Sequence, residues 1–252
     1  YDDNCGTVSA SFTSSTPGND NSDCAWSFTY TFEITDECGH SVTCEVVYSG
    51  GDTGAPTLVI PGVNCSSLNL VGLNLCEGDF DPASLEVGVQ ALYVDNCDLD
   101  LTAVVSNTTD DPQNNDCSWR YVFEFTITDN CMNSASCEVT VSGGDEIAPN
   151  LADISVDCTS LNESNVDLCL SDAAAFDPAT LEDAVADLYE ENCGGPVTVV
   201  AGTPLPGLLN NDCQWTFTYP FTISDNCGNE ITCSVVYSGG DDSPPTWTTP
   251  SG

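Results

Sequence analysis

The stretch that decides the fold is SDCAWSFTYTFEITDECGHSVTCEVVYSGGDTGAP, residues Ser22–Pro56. Within Trp26–Ile34, every even position carries a large apolar side chain and every odd position carries Ser, Thr or Glu. Such alternation predicts a strand with one face in a core and the other in water. Apolar residues alternate again in Val42–Tyr48, after a turn at 36–41, so the stretch predicts a β-hairpin.

This hairpin sequence occurs three times. It recurs at Asn115–Pro149 and at Asn211–Pro245, with a period of about 95 residues, which is typical of an array of domain-sized modules. We call the three copies the first, second and third repeat. Gly-Gly-Asp and Pro residues follow each hairpin and indicate the end of a module.

A second block recurs between the hairpins, at Phe80–Cys97 and Phe176–Cys193. Each copy begins Phe-Asp-Pro-Ala, and Asp-Pro is typical of a helix N-cap followed by a first-turn proline. Short helices are therefore predicted near 178–190 and 82–93. The predicted fold class is all-β: tandem immunoglobulin-like antiparallel β-sandwich modules, each with a short helical insertion and stapled by disulfides.

These patterns predict four segments. Residues 1–53 form a partial module that lacks its first strands, 54–146 and 147–243 form complete modules, and 244–252 form a tail. The sequence Pro245–Gly252 (PTWTTPSG) resembles Pro56–Gly62 (PTLVIPG), which is the predicted first strand of a module. The tail is therefore a candidate donor strand that completes the sandwich of another copy.

Charge and cysteine content restrict the function. The chain of 252 residues has 40 acidic residues, one arginine (Arg120) and one histidine (His40), for a net charge of −39. Such a charge argues against nucleic-acid binding and against anionic membranes, and no apolar run is long enough to insert into a membrane. The sixteen cysteines form no Cys-x-x-Cys pair, so disulfides in an extracellular or cell-surface setting are expected rather than metal–thiolate sites.

Position in the hairpin predicts part of the disulfide pattern. Cys131 lies at a hairpin tip, and Cys97 begins the strand that should reach the same pole. This predicts Cys97–Cys131 and, in the other copies, Cys193–Cys227 and Cys5–Cys38. Two further cysteines of the first hairpin, Cys24 and Cys44, lie on neighbouring strands roughly 30 Å apart along the strand axis. They are too far apart to bond to each other, and no partner within the chain is predicted for them.

The carboxyl-terminal part of each repeat resembles the hyalin-repeat (HYR) class of extracellular modules. In FTISDNCGNEITCSVVYSGGDDSPPT the match runs through Ser224, Asp225, Gly228, Asn229, Thr232, Cys233 and Pro244–Pro245. The resemblance covers roughly the last 35 residues of each repeat and does not extend to the helical insertion. It implies an immunoglobulin-like fold, extracellular adhesion or structural spacing, and no catalytic residues.

The resemblance also implies two disulfides across the sandwich, Cys65–Cys137 and Cys158–Cys233. These pairs leave Cys76 for Cys117, and Cys169 for Cys213. A local Cys65–Cys76 loop is the alternative.

Carboxylates converge at the predicted junctions between modules, because a hairpin tip lies at the pole where its module is entered. Several oxygen ligands between domains would suit Ca²⁺. The candidate ligands are Asp2, Asp3, Asp36, Asp52, Asp95, Asn96, Asp129, Asp145, Glu191, Asp225 and Asp241. The alternative is that these residues make turn hydrogen bonds and bind no metal.

The sequence therefore predicts a non-enzymatic extracellular structural or adhesive repeat protein. Its predicted form is a filament subunit that assembles head-to-tail with itself. The alternative is an array of carbohydrate- or protein-binding modules, in a secreted protein or hydrolase, that uses polar loops at Thr13–Asp23 and Asn107–Asp116. Surface glycans or other extracellular proteins are then the partners.

Overall fold

The computed structural model describes residues 1–19, 21–97 and 99–247. Its strands are β1 Val8–Pro17, β2 Trp26–Asp36, β3 Ser41–Gly50, β4 Thr57–Leu58, β5 Leu70–Asn74, β6 Tyr93–Val94, β7 Thr102–Asp110, β8 Trp119–Thr128, β9 Ser134–Gly144, β10 Asn150–Leu151, β11 Glu163–Asp167, β12 Tyr189–Glu190, β13 Thr198–Ala201, β14 Leu205–Pro206, β15 Trp215–Ser224 and β16 Glu230–Gly240. Its helices are α1 Glu86–Gln90, α2 Leu170–Ala174 and α3 Glu182–Ala186, with 3-10 turns at Cys65–Leu68, Pro82–Leu85, Cys158–Leu161 and Pro178–Leu181.

Each repeat is built on one main sheet. The strand orders are β1-β2-β3 in the first repeat, β5-β9-β8-β7 in the second and β11-β16-β15-β13 in the third, where β14 also pairs with β15. The second and third repeats add a two-stranded sheet each, β4-β6 and β10-β12. The predicted all-β class is confirmed. The sheet of the third repeat is not purely antiparallel, because β11 runs parallel to β16.

The hairpins form where the alternation predicts them. In the third repeat, β15 and β16 pair from Trp215↔Gly239 to Ser224↔Glu230 without a register shift. Every second residue of β15, beginning with Trp215, is buried. The period of two therefore places one face of the sheet in the core.

A glycine pair at the end of β16 allows two close approaches of the backbone. A Cβ atom on Gly239 would overlap the carbonyl oxygen of Val166 in the parallel strand β11. A Cβ atom on Gly240 would overlap the carbonyl oxygen of Cys213. The Gly-Gly-Asp sequence thus has a packing function as well as ending the strand.

The helical insertions begin at the predicted caps. Asp177 Oδ1 accepts the backbone N–H of Ala179 at 3.1 Å, and Pro178 occupies the first position of the turn that leads into α3. Asp81 caps the equivalent turn before α1. Both helices end earlier than predicted, because the residues that follow them form the short strands β12 and β6. Helix α2 was not predicted.

The core of the third repeat lies between the main sheet and the insertion. Trp215, Tyr219 and Ile223 of β15 are buried on the sheet side, and Val185 of α3 is buried on the other side. Phe176 places its ring 5.3 Å from the rings of both Tyr219 and Tyr237. The insertion and the small sheet therefore form the second layer that the sandwich requires.

Contacts divide the chain into two compact units. The first comprises Tyr1–Val71, Asp81–Asp110 and Tyr121–Val141, and the second comprises Gly72–Phe80, Asp111–Arg120 and Ser142–Gly252. The first unit contains the first-repeat sheet and the hairpin tip of the second repeat. The second unit contains the third repeat and the opposite end of the second. The predicted module boundaries at 53, 146 and 243 stay predictions.

The predicted loops, the predicted tail and the membrane prediction each compare differently with the structure. The loops predicted at Thr13–Asp23 and Asn107–Asp116 begin inside β1 and β7, since the backbone stays paired as far as Pro17 and Asp110. Residues 244–247 of the predicted tail form no strand, and 248–252 lie outside the described residues. No helix in the described part of the chain is long and apolar enough to cross a membrane.

Candidate sites at the repeat junctions

Each hairpin turn is organised by one aspartate. In the third repeat, Asp225 Oδ1 accepts the backbone N–H groups of Cys227 at 2.7 Å and of Asn229 at 2.9 Å. Its second carboxylate oxygen, Oδ2, accepts from Asn229 Nδ2 at 2.8 Å. Asp129 makes the same three bonds in the second repeat. The sequence D-x-C-x-N therefore builds a fixed turn with a buried carboxylate.

The first repeat carries a histidine in place of the asparagine. His40 Nδ1 and Asp36 Oδ2 lie 2.9 Å apart. The hydrogen bond from the His40 side chain, together with that from its backbone N–H, holds the pKa of Asp36 below its ordinary value.

In the first unit, the turn aspartate meets the linker that follows the first repeat. Asn133 Nδ2 lies 3.4 Å from the carbonyl oxygen and 3.5 Å from Oδ2 of Asp52, and Asn96 Nδ2 donates to Asp52 Oδ1 at 3.4 Å. Asp52, Asp95 and Asp129 are all buried. The structure thus brings together Asp52, Asn96 and Asp129, as the sequence predicted.

The second unit contains an equivalent arrangement. Asp145 Oδ1 accepts from Asn192 Nδ2 at 3.0 Å, and Asn229 Nδ2 lies 3.2 Å from the Asp145 carbonyl oxygen and 3.4 Å from its Oδ2. Glu191 Oε1 accepts the N–H of Cys193, whereas Glu191 Oε2 is buried with no hydrogen-bond partner among the described residues. One acceptor atom in this site is therefore unsatisfied.

The carboxylates of the second unit differ in pKa. Burial raises the pKa of Glu191, and the nearby charges of Asp145 and Asp225 raise it further, despite opposing hydrogen bonds. Burial would also raise the pKa of Asp225. Hydrogen bonds from Asn229 and from neighbouring backbone amides outweigh it, and the pKa of Asp225 is lowered. The site thus holds an ionised Asp225 beside a carboxyl group in an unfavourable environment for its charge.

These groups have the chemistry of a hard-cation site. Carboxylate oxygens of Asp145 lie within 4.8 Å of those of Asp225 and Glu191, and Asp52 and Asp129 approach each other equally closely. The cysteine sulfurs nearby belong to disulfides and are not available as thiolate ligands. No lysine or arginine of the described residues forms an ion pair with these carboxylates. Oxygen donors without a counter-charge suit Ca²⁺.

The other predicted ligands are not part of these groups. Asp3 accepts the N–H of Cys5, and Asp241 accepts the N–H of Ser243, so both make local turn bonds. The close-packed acidic groups found within the described residues do not include Asp2, Asp3, Asp36, Asp95 or Asp241. Their role as ligands stays a prediction.

The structure forms five disulfides, two of them as expected from the family resemblance. These are Cys65–Cys137 and Cys158–Cys233, which join the start of a 3-10 turn to the return strand of the hairpin in the same repeat. The local Cys65–Cys76 alternative is not formed.

The other three disulfides join one repeat to the next: Cys24–Cys131, Cys117–Cys227 and Cys76–Cys193. Five predicted pairs are therefore wrong: Cys97–Cys131, Cys193–Cys227, Cys76–Cys117, Cys169–Cys213 and Cys5–Cys38. Cys24, for which no partner was predicted, is bonded. The free cysteines are Cys5, Cys38, Cys44, Cys97, Cys169 and Cys213.

The error has one physical cause. Each of these five pairs joined two cysteines at the same pole of a repeat. A pole faces the adjacent repeat, so its cysteines lie opposite those of that repeat. The alternation of the strands identifies the face and the pole of a cysteine, but it does not indicate whether the partner is in the same repeat or the next.

The aromatic face of the first-repeat sheet is a further candidate site. Trp26, Phe28 and Tyr48 are 40%, 36% and 62% exposed. The equivalent Trp215 and Phe217 of the third repeat are 1% and 7% exposed, because the insertion covers them. The described residues provide no such layer for the first repeat.

Comparison with known proteins identifies no family. No protein-family model matches the chain, and no curated protein matches it. Drosophila N-cadherin EC1-4 is 10% identical with a TM-score of 0.31, covering 95% of this chain and 68% of that structure. The protocadherin gammaB4 extracellular domain is 9% identical with a TM-score of 0.30, and the alignment covers 93% of this chain and 45% of that one.

Mouse protocadherin-24 EC1-3 is 11% identical with a TM-score of 0.28, covering 85% of this chain and 79% of that structure. The chain thus spans less than half of the protocadherin gammaB4 structure. Similarity at these TM-scores carries no argument about ligands or partners. The hyalin-repeat resemblance stays a prediction.

Proposed function

We propose that this chain is a non-enzymatic, extracellular or cell-surface repeat protein with a structural or adhesive function, and that its copies assemble head-to-tail. The observation that carries the proposal is the exposed aromatic face of the first-repeat sheet. A contiguous exposed apolar patch of this kind marks an interaction surface in a soluble protein. The occupant that we propose is a second copy of this chain.

The exposed face has the geometry of the covered one. Tyr30 and Tyr48 pack edge-to-face with ring centroids 5.8 Å apart, as Tyr219 and Tyr237 do at 5.5 Å in the third repeat. In the third repeat, Phe176 of the insertion packs on that tyrosine pair. The first repeat therefore presents a preformed surface for an apolar layer of the same type.

The tail contains a dipeptide that matches the first strand of such a layer. Thr246–Trp247 follows a proline, as do Thr57–Leu58 (β4) and Asn150–Leu151 (β10). Strand β10 pairs with Tyr189–Glu190, and the matching residues of the first repeat, four positions before its first cysteine, are Tyr1–Asp2. Trp247 and Tyr1 are both largely exposed. Pairing of one copy's Trp247 with the next copy's Tyr1 would extend the pattern of β10 and β12.

The disulfides and the charge support an extracellular setting. Five disulfides persist in oxidising compartments and are rare in the cytosol. The net charge of −39 favours solubility and suppresses non-specific association between copies. Self-association would then depend on specific surfaces such as the aromatic face.

Deletion of Pro245–Gly252 tests the assembly. We expect the full chain to form high-mass species in light scattering and the deletion variant to stay monomeric. Leu208→Ser is the matched control, because Leu208 is a fully exposed apolar residue outside both surfaces. Unchanged assembly of the deletion variant contradicts the donor-strand arrangement. Glycan binding by a chain that stays monomeric supports a binding module instead.

We also propose that Ca²⁺ binds at the junctions, through Asp145, Glu191 and Asp225 in the second unit and Asp52 and Asp129 in the first. The unsatisfied Glu191 Oε2 and the absence of a counter-charge in the described residues support this. A bound divalent cation would offset the repulsion between close carboxylates and stiffen the junction.

Calorimetry tests the calcium proposal. We expect the melting temperature to be higher in millimolar Ca²⁺ than in chelator, and the difference to shrink in Glu191→Gln. Glu190→Gln removes a charge from the neighbouring exposed residue and should leave the difference unchanged. Equal melting temperatures with calcium and chelator contradict the proposal.

A further inference from the structure

The first and third repeats have free cysteines of complementary types. We call Cys24, Cys117 and Cys213 the pre-Trp cysteines, and Cys38, Cys131 and Cys227 the turn cysteines. Both bonds that involve pre-Trp cysteines join one repeat to the turn cysteine of the next, as Cys24–Cys131 and Cys117–Cys227. The pre-Trp cysteine of the third repeat and the turn cysteine of the first are left free.

A second class of bond follows the same rule. We call Cys76 and Cys169 the loop cysteines, and Cys5, Cys97 and Cys193, each of which follows an asparagine, the lead cysteines. Cys76 of the second repeat bonds to Cys193 of the third. The loop cysteine of the third repeat and the lead cysteine of the first are free and exposed.

The same hydrogen bond fixes the backbone beside the free Cys169 and Cys213 of the third repeat as beside the bonded Cys76 and Cys117 of the second. In the second repeat, the residue after Cys76 donates its N–H to Asp116, the residue before Cys117, at 3.0 Å. In the third repeat, the residue after Cys169 donates its N–H to Asp212, the residue before Cys213, at 3.1 Å. Cys76 and Cys117 of the second repeat each bond to a cysteine of the third repeat. Cys169 and Cys213 have the same local arrangement in the third repeat, but they are free.

The two free cysteines of the first repeat also share one pole. Glu37, which precedes Cys38, accepts from Thr7 Oγ1 at 2.8 Å, and Thr7 lies two residues after Cys5. Their counterparts Cys193 and Cys227 do not bond to each other, since each bonds to the preceding repeat.

We propose that Cys169 and Cys213 of one copy form disulfides with Cys5 and Cys38, respectively, of a second copy. Each bond forms when two thiols lose two protons and two electrons to a disulfide oxidant, either a small molecule or an oxidoreductase, which leaves as two thiols. The inference rests on the head-to-tail assembly of the proposed function, and it adds that disulfides link the assembled copies covalently.

The proposed disulfides predict how many free thiols each chain retains. An isolated chain has six free cysteines, and a copy joined at both ends loses four of them. The proposed bonds do not involve Cys44 and Cys97, which are free in the structure and stay as thiols. Alkylation followed by mass spectrometry would measure the remaining two.

Complementary variants of the full chain test the proposal. After oxidation with a glutathione disulfide buffer, we expect the wild-type chain to give a ladder on non-reducing gels that collapses on reduction. Cys169→Ser/Cys213→Ser and Cys5→Ser/Cys38→Ser should each stay monomeric, and a mixture of the two should stop at a covalent dimer. Cys44→Ser/Cys97→Ser is the matched control and should give the wild-type ladder.

Several outcomes overturn the proposal. They are a ladder in either double variant, products longer than a dimer in the mixture, and peptides that contain intrachain Cys169–Cys213 or Cys5–Cys38. The proposed function is tested separately by light scattering under reducing conditions. High-mass species there, without a covalent ladder after oxidation, refute the disulfides but not the assembly, whereas monomers in both experiments refute the two together.

Discussion

At the residue scale, the asparagine in the turn of the second and of the third repeat links two acidic groups from different parts of the chain. Asn229 Nδ2 donates to Asp225 of its own turn at 2.8 Å and lies 3.2 Å from the carbonyl oxygen of Asp145 in the preceding linker. The amide can serve both because it has two N–H donors. It therefore ties the hairpin tip to the linker without a positive charge.

We expect Asn229→Ala to lower the free energy of unfolding by about 1–3 kcal/mol, because it leaves buried acceptors of Asp225 and Asp145 unsatisfied. Thermal unfolding followed by tryptophan fluorescence measures the effect. Asn226→Ala, at an exposed position of the same turn, is the control and should leave the transition unchanged. Equal effects of the two substitutions contradict the assigned role of Asn229.

The sequence predicted the convergence of acids at the junctions, and it predicted Asn96 beside Asp52. It did not predict the amides of the turns. The structure places Asn133 and Asn229 there, four positions after the aspartate. A turn reverses the chain within these residues, so adjacency in sequence does not indicate which side chain points towards the linker. The spacing D-x-C-x-N, shared by two repeats, was the available signal.

The thiol chemistry of Cys169 should depend on pH. Local desolvation by neighbouring atoms raises the pKa of this exposed thiol, and so do the surrounding carboxylates, Asp241, Asp172, Asp212 and Asp167. The reactive form is the thiolate, whose fraction rises with pH towards the pKa. We expect alkylation of Cys169 by iodoacetamide, followed by peptide mass spectrometry, to accelerate from pH 7 to pH 9 and to be slower than that of a free cysteine peptide at pH 8. A rate equal to that of the peptide contradicts this environment.

At the element scale, the insertion stabilises the third repeat by covering its sheet. Phe176 contacts two tyrosines of the sheet, and Val185 is completely buried. The aspartate cap and the first-turn proline fix where the insertion begins. Its packing against β15 and β16 supplies the apolar contacts that five-residue helices lack on their own.

We expect Phe176→Ala to lower the free energy of unfolding of the third repeat by about 3 kcal/mol. This value is near the lower end of the range for Phe→Ala substitutions in protein cores, because the Phe176 side chain is only half-buried. The measurement is chemical denaturation followed by fluorescence of the core tryptophan. Phe12→Ala is the control, because Phe12 on β1 is mostly exposed. A loss as large for Phe12 as for Phe176 contradicts the role of the insertion.

The hairpins were predictable because a period of two depends on the local sequence. The helices were predicted at their starts but extended too far, to 190 and 93. Tyr189–Glu190 and Tyr93–Val94 leave the helical pattern because they pair with β10 and β4. That pairing is a tertiary contact, and the local sequence does not encode it.

At the scale of the whole molecule, disulfides of two kinds have different consequences. Cys65–Cys137 and Cys158–Cys233 each lie within a single repeat, and the family resemblance implied both. The other three join consecutive repeats, and the sequence does not indicate whether a cysteine at a pole bonds within its own repeat or to the next one. In all three, a cysteine of one repeat bonds to a cysteine of the next. Cys5, Cys38, Cys169 and Cys213 are the same types of cysteine without such a partner in the structure.

The cysteines that form the junction bonds therefore recur, free and exposed, as Cys5 and Cys38 of the first repeat and Cys169 and Cys213 of the third. The aromatic face of the first repeat and the segment Thr246–Trp247 are the matching surfaces for non-covalent packing between copies. Both features predict that copies add in one orientation, because a junction joins two unlike poles. Such heterologous contacts generate open filaments where the rotation between copies does not close a ring.

Electron microscopy of the oxidised full chain tests this central claim most directly. We predict unbranched filaments that shorten to small particles when Pro245–Gly252 is deleted. Isolated particles of monomer size at every concentration examined, with and without calcium, would contradict head-to-tail assembly.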